Sequence, residues 1–593
     1  MKRITYIIAI LFACTSCSDT FLDNAPKGKY HEGNYDMGTA QELLVLATLM
    51  DGYNVFAQQT WPVTAMQCHT TDNSHPGGPS GDGGVDFSQF PTMSFTPANS
   101  MFNTYYSLQF TAITKANEAL QMLKDIEEAN GETAATRQYR AEAYFIRAAA
   151  YFRLTQAFGA VPYVDRVMGK DEAMADQLSA TVIRNKYLPE LIGVINDLPT
   201  RKEAVNSGNI GRATQNAARA IIAKTYLYEK DYNNCLTYTG QIISSEDNDL
   251  STPYAEMFWE ENEFGPESVW EINADYKPDQ NISIIGENNQ WCLMNGVRGF
   301  PNLGWGHNAP SENLMNDYES NDPRFGATVL EHGEKVDGEE VVASNYQYFN
   351  RKAYCRKSER SLYGRADWCY GYWSNLRIIR YADIVLMRAE LENELNGASA
   401  AVPYLTKIRN RAFATSDRAT EVTAYVAEAA LSKEKMFQAI VDERAYEFAG
   451  ELIRKADLIR WGMLKSKMDE TKNKMKAIVS LTDYDSKHPY SQLSGHAYYK
   501  MSAYTWTRNG IETTEKDAKL NLYGLNYGEM DINPEGYTEF SDSKGEASTW
   551  IKDNALEDVI DYLYVRDPDK YQYWPIFNVN LNDNPNLSNY EWY

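Results

Sequence analysis

The stretch Arg140-Ala141-Glu142-Ala143-Tyr144-Phe145-Ile146-Arg147, running on through Tyr151-Phe152 to Phe158-Gly159-Ala160-Val161-Pro162, sets the fold. Ala141, Tyr144, Phe145, Ala148, Phe152 and Thr155 recur at steps of three and four, the spacing of one helix face. Gly159 and Pro162 supply the stop. Ala148 to Ala150 are small enough to let a neighbouring helix come close.

Outward from this helix the pattern repeats in pairs. Residues 213–229 and 232–243 are joined by a tight Lys230-Asp231 turn, and 378–396 lead into 400–412 through the turn signal Asn396-Gly397. Helix pairs of roughly 34 residues, each burying a face on the next, are the logic of tetratricopeptide repeats. The fold expected is mainly α: a degenerate tetratricopeptide-like helical-pair scaffold, chiefly 101–245 and 377–465. An irregular, loop-rich half is expected at 60–97, 246–376 and 466–593, where Gly, Pro, Asn and aromatic residues break the periodicity. Long irregular segments in a compact unit tend to carry function. Residues 36–593 are read as a single unit.

The 57 Lys and Arg against 81 Asp and Glu leave a net charge of −24, which repels phosphate polymers and argues against nucleic acid as a partner. Aromatic residues make up 13%, with 42 Tyr and 12 Trp, and flat rings with polar edges suit binding surfaces as well as cores. The cysteines beyond residue 17 are odd in number and irregularly spaced, so no disulfide can be assigned.

The chain opens MKRITYIIAILFACTSCSDTFLDNAP: a basic end, a short apolar run and small residues before a cysteine, the layout of an export signal. The run is too short to cross a hydrocarbon core, which takes about 20 apolar residues. Residues 1–16 are read as a lipoprotein signal peptide and 17–35 as a tether beginning at a lipidated Cys17. Cys14 fits the cleavage pattern as well; Cys17-Ser18-Asp19-Thr20-Phe21-Leu22-Asp23 followed by Pro26 resembles the mature start of SusD/RagB-family lipoproteins, and that resemblance favours Cys17.

Several ordered blocks extend this reading. They are the 140–162 stretch, Arg380-Tyr381-Ala382-Asp383-Ile384-Val385-Leu386-Met387-Arg388-Ala389-Glu390, and Ile408-Arg409-Asn410-Arg411-Ala412. Next come Arg444 to Glu451 leading to Asp457-Leu458-Ile459-Arg460-Trp461-Gly462, then Trp574-Pro575-Ile576 and Asn584-Pro585-Asn586-Leu587-Ser588-Asn589. With the leader, these resemble the SusD/RagB family of surface lipoproteins in order and over nearly the whole chain. Phe577 departs from the family's second terminal proline, which touches a local turn. Arg444 and Glu447 stand three apart on one helix face, where an ion pair is sterically natural.

The resemblance implies a non-catalytic protein, lipid-anchored in the outer membrane and facing the exterior. It would bind oligosaccharide or polysaccharide and pass it to a SusC-like TonB-dependent transporter, touching the membrane through its lipid alone. The alternatives are a RagB-like peptide binder and, further off, a surface glycoside hydrolase. Sugar binding needs flat rings against pyranose C–H faces and planar polar groups for the hydroxyls. The ligand-binding residues expected are Trp291 and Trp305 as stacking platforms, Asp72, Asn73 and Arg298 as hydroxyl partners, and Trp61 beside them. Trp368, Tyr370, Tyr372 and Trp373 form a third aromatic group.

No cofactor and no metal site are assigned. Cys68, His69, Asp72 and His75 match no familiar zinc spacing, and the Asn/Asp-rich 580–589 segment reads as terminal turns as readily as a structural calcium site. The glycine-rich 77–84 loop lacks the Gly-Lys-Ser/Thr that follows in a phosphate loop. Nucleophile elbows and His-Glu-x-x-His are absent, and the carboxylates are too many for an acid–base pair to be nominated.

Overall fold

The computed structural model describes residues 40–57, 60–75, 84–169, 174–274, 291–302, 304–318, 322–331, 334–343, 348–362, 374–479, 506–508, 537–539 and 563–593. The leader and tether, most of the glycine-rich loop, and the aromatic group Trp368, Tyr370, Tyr372 and Trp373 lie outside these residues.

Thirteen helices carry the argument: α1 (Ala40–Ala57), α2 (Thr60–Cys68), α3 (Gly84–Thr92), α4 (Ser100–Asn130), α5 (Ala134–Phe158), α6 (Ala180–Gly193), α7 (Gln215–Tyr228), α8 (Tyr232–Ser244), α9 (Tyr381–Asn396), α10 (Ala398–Ala412), α11 (Lys433–Glu447), α12 (Arg454–Arg460) and α13 (Leu464–Val479). The pairs α4/α5, α7/α8 and α9/α10 pack within themselves and then in series, α5 and α6 on α7, α8 on α9, and α9 on α11. This is the helical-pair scaffold expected. Among the described residues no helix is long and apolar enough to cross a membrane.

Helix α5 sits at the centre. Thr133 caps its start in a reciprocal box with Thr136, and Ala148, Ala149 and Ala150 are fully buried, so neighbouring backbones approach closely. Its charged residues point inward to partners: Glu142 accepts from Arg212 and from the Tyr53 hydroxyl, and Arg147 reaches Asn117, the Asp165 carbonyl and Glu190.

Several elements differ from the sequence reading. Ile378 and Ile379 belong to a strand, β2 (Leu376–Arg380), which pairs antiparallel with β1 (Ser268–Ile272), and α9 begins at Tyr381. Branched residues favour a pleated, half-buried strand, and pairing with 268–272 overrides the helical spacing. Helices α2, α3 and α13 also fall inside stretches read as irregular.

The sequence blocks meet in a buried ion network. Glu447 pairs with Arg380, Arg411 and Arg324; Arg324 also holds Asp322 and Glu443; Arg409 takes the other oxygen of Glu443. Arg444 turns instead to Asp383 at 2.8 Å and Asp457 at 2.7 Å. The expected Arg444–Glu447 pair is therefore not formed, because each finds a better oriented partner on another helix. Burial pushes the Glu447 carboxyl up, but Arg411, Arg380, Arg324 and Lys352 outweigh it and hold it well below the ordinary glutamate value.

The last residues close on the first pair. Trp574 is buried among Phe102, Tyr105 and Phe158, its backbone N–H donating to the Ala157 carbonyl at 2.9 Å. Asn589 clamps Ile576 by both its N–H and its carbonyl. Gly159, at φ +71°, has the Tyr590 hydroxyl seated where a side chain would project. Gly159→Ala is expected to lose about 1–3 kcal/mol of stability from overlap and from the left-handed backbone. Denaturant unfolding checks this, with part of the loss recovered in a Tyr590→Phe background; a wild-type midpoint in Gly159→Ala would contradict the fit.

Candidate functional site

The early segment 60–75 and the later segment 291–313 form one seam. Ser74 and His75 pair antiparallel with Pro310 and Ala309, and the Ser311 N–H donates to the Asn73 carbonyl at 2.9 Å. The turn after α2 is held by its own hydroxyls: Thr71 and Ser74 both donate to the Cys68 carbonyl, and Thr70, at φ +63°, donates to the Phe90 carbonyl at 2.7 Å. Small polar side chains replace missing backbone partners in such a turn.

Asp72 anchors this turn to the scaffold. Both its oxygens accept from Arg454, at 2.8 and 2.6 Å, and its backbone carbonyl accepts from Ser311 and Asn313. Burial pushes the Asp72 carboxyl up, but the Arg454 charge and its paired hydrogen bonds overcome that and leave it below the usual carboxylate range. Asn73 is buried beside it and donates to the Ala445 carbonyl at 3.2 Å. The two residues expected to present groups to sugar hydroxyls are thus turned inward.

The opposite bank starts from the short helix Trp291–Asn295. The following chain folds back over it, with the N–H of Trp305 donating to the Leu293 carbonyl at 2.6 Å and that of His307 to the Met294 carbonyl at 2.8 Å. Glycine at 304 allows this, since a Cβ there would sit 2.7 Å from the Gly296 carbonyl oxygen. Trp291 is 4% exposed and joins the core, which corrects its reading as a stacking platform.

Trp305 is less enclosed than Trp291, although it too packs against the core. It is half-buried and meets His307 edge-on at 6.1 Å; His307 packs on Phe87 at 4.4 Å, and Phe87 on His69 at 4.7 Å. His69 Nε2 donates to the His307 carbonyl at 2.8 Å, tying the last ring of this line back to the second. Three of the four rings are buried, so Trp305 rests on a fixed base. Arg298 is half-buried on the same bank, and Trp61 lies in the first turn of α2.

The segments that hold the expected ligand-binding residues converge here. The supporting roles of His307 and Phe87 were not legible in the sequence, whose only signal for them is aromatic character in loops. No group of three or more His, Cys, Asp or Glu residues is arranged to hold a metal among the described residues. In the 580–589 segment, Asn584 and Asn586 donate their amides to the carbonyls of Ala175 and Met174.

A model of the SusD family matches residues 266–593, more than half of the chain. The chain belongs to the SusD family. Residues 22–227 match a second SusD-like family model, described as starch-binding associating with outer membrane. Among sequence relatives, the SusD-like protein P25 of Formosa agariphila is 28% identical over 363 residues. That match covers 55% of this chain and 64% of P25, so the chain spans less than two thirds of that relative's length. Among solved structures, surface glycan-binding protein A of Bacteroides uniformis superposes with a TM-score of 0.62 at 20% identity, over 92% of this chain and 98% of that one. The protein of that name from Bacteroides thetaiotaomicron, solved in complex with laminarihexaose, gives a TM-score of 0.58 at 24% identity, over 72% and 91%. At such identities these superpositions establish the SusD-like fold.

Proposed function

We propose that this SusD-family protein captures an oligosaccharide at the cell surface and hands it to a SusC-like TonB-dependent transporter without altering it. The observation that carries the binding step is Trp305, a half-buried indole on a base of buried rings, His307, Phe87 and His69, at the seam of the two segments. An aromatic face held in place covers the C–H side of a pyranose with little ordering cost. Arg298, half-buried on the same bank, supplies a planar donor for sugar hydroxyls. Trp291, Asp72 and Asn73 take part as the frame that fixes the seam, and Trp61 stands in the first turn of α2 on the same segment. The complex of a structural relative with laminarihexaose supports a glycan as the ligand class.

In the same reading, Cys17 carries the lipid that holds the protein to the outer membrane, keeping it concentrated beside its transporter. A glycan array run beside a peptide panel tests the ligand class. Retention of glycans and indifference to peptides is expected; capture of peptides alone would move the protein to the RagB-like reading. Extraction of the outer membrane in mild detergent is expected to bring down a large barrel protein with the wild type, and a consistently solitary lipoprotein would overturn the pairing.

A further inference from the structure

A second ring stack stands apart from the seam. Tyr573 and Tyr590 lie with centroids 5.7 Å apart and planes 19° from parallel, and Trp592 lies on Tyr590 at 4.8 Å and 8°. The Tyr590 hydroxyl is seated over Gly159. Tyr593 fixes the other side, its ring against Phe95 and Tyr571 and its hydroxyl donating to the Tyr573 carbonyl at 2.6 Å. The Tyr571 hydroxyl donates to the Trp592 carbonyl at 2.9 Å. Trp592 is therefore pinned through its backbone and through one ring face.

Trp592 is 38% exposed. A large aromatic side chain has about 150–250 Å² to bury, so an area on the order of 60–95 Å² stays open here. A stable protein partner needs about 800 Å² on each side, far more than this. The adjoining Glu591 is exposed, and the exposed residues of this terminal segment include Asn586 and Ser588; polar groups suit a ligand with an apolar face and a hydroxylated rim and are unfavourable for a lipid surface. A single flat ring of this size matches one pyranose.

We infer that Tyr573, Tyr590 and Trp592 form a second, independent stacking platform for one sugar ring, with Trp592 as the contact face. The ligand class is taken from the proposed function, while the platform rests on its own geometry. A long glycan could then touch the protein at two places, each weak alone.

The test uses the full chain labelled with 5-fluorotryptophan, read by fluorine NMR. The Trp592 and Trp305 resonances are assigned by their loss in Trp592→Ala and Trp305→Ala, with the remaining resonances reporting an intact fold. Methyl glycosides of glucose, galactose, mannose and xylose are titrated separately to high millimolar concentration. A saturable shift of the Trp592 resonance in at least one of them is expected. A Trp592 resonance that stays fixed in all four overturns the platform, whatever Trp305 does. If Trp305 alone moves, the seam stands and the platform falls; if Trp592 alone moves, the platform stands and the seam falls.

Discussion

Trp305→Ala is expected to weaken oligosaccharide binding by about 5- to 150-fold, the equivalent of the roughly 1–3 kcal/mol lost when a base-stacking aromatic is truncated. The reason lies in the base beneath the ring. His307, Phe87 and His69 hold the indole where it is before any ligand arrives, so its face binds without first being ordered. Trp305→Phe keeps a face of smaller area and should retain part of the affinity. Calorimetry with laminarihexaose, or with the glycan the array selects, reads the difference. An unchanged dissociation constant in the folded alanine variant would remove the seam from the binding surface.

The other large effect concerns stability. Glu447→Gln keeps the shape of the side chain and removes its charge, leaving Arg380, Arg411 and Arg324 gathered around a neutral amide. Breaking one side of a buried ion pair typically costs about 3–5 kcal/mol, because the remaining charge is stranded away from water. A loss of that order is expected in denaturant unfolding. A loss below about 1 kcal/mol would put Glu447 in the range of an exposed pair instead.

The same network fixes the sign of the acid response. The folded Glu447 carboxyl lies below its ordinary value of 4.5. Its contribution is fully present above that value and is lost as pH falls from there through the lower folded value. Asp72 and Asp457 are shifted in the same direction and act in the same acid window. Wild-type stability should fall below about pH 4.5, and Glu447→Gln should show a shallower slope there.

The helical pairs were legible because small and aromatic residues recur at helical steps and turns punctuate them, as at Gly159 and Gly397. Helix α1 was not foreseen, since the reading followed periodicity only from Met101 onward. Ile378 and Ile379 were misread because a five-residue strand beside a helix leaves too short a pattern to separate the two periods. The convergence of 60–75 with 291–311 came through the family resemblance rather than through any local signal. The partners of Asp72 and Arg444 were out of reach for a plain reason. Arg454 lies 382 residues from Asp72 along the chain, and charge alone does not say which of many arginines will meet it.

Trp291 and Trp305 show the same limit within one loop. Both are tryptophans among polar and glycine residues, yet one is buried in the core and the other is half-buried. The fold-back of 304–307 onto the 291–295 helix needs the close approach of Gly304 to Gly296, a backbone event with no signature in the side chains that surround it.

Hydrogen–deuterium exchange of the full-length protein with and without its glycan, followed by mass analysis of the recovered sugar, tests the central claim most directly. The expected result is slowed exchange confined chiefly to 60–75 and 291–311, with the glycan recovered at its original length. Protection elsewhere with those two segments unchanged, or a shortened sugar, would contradict it.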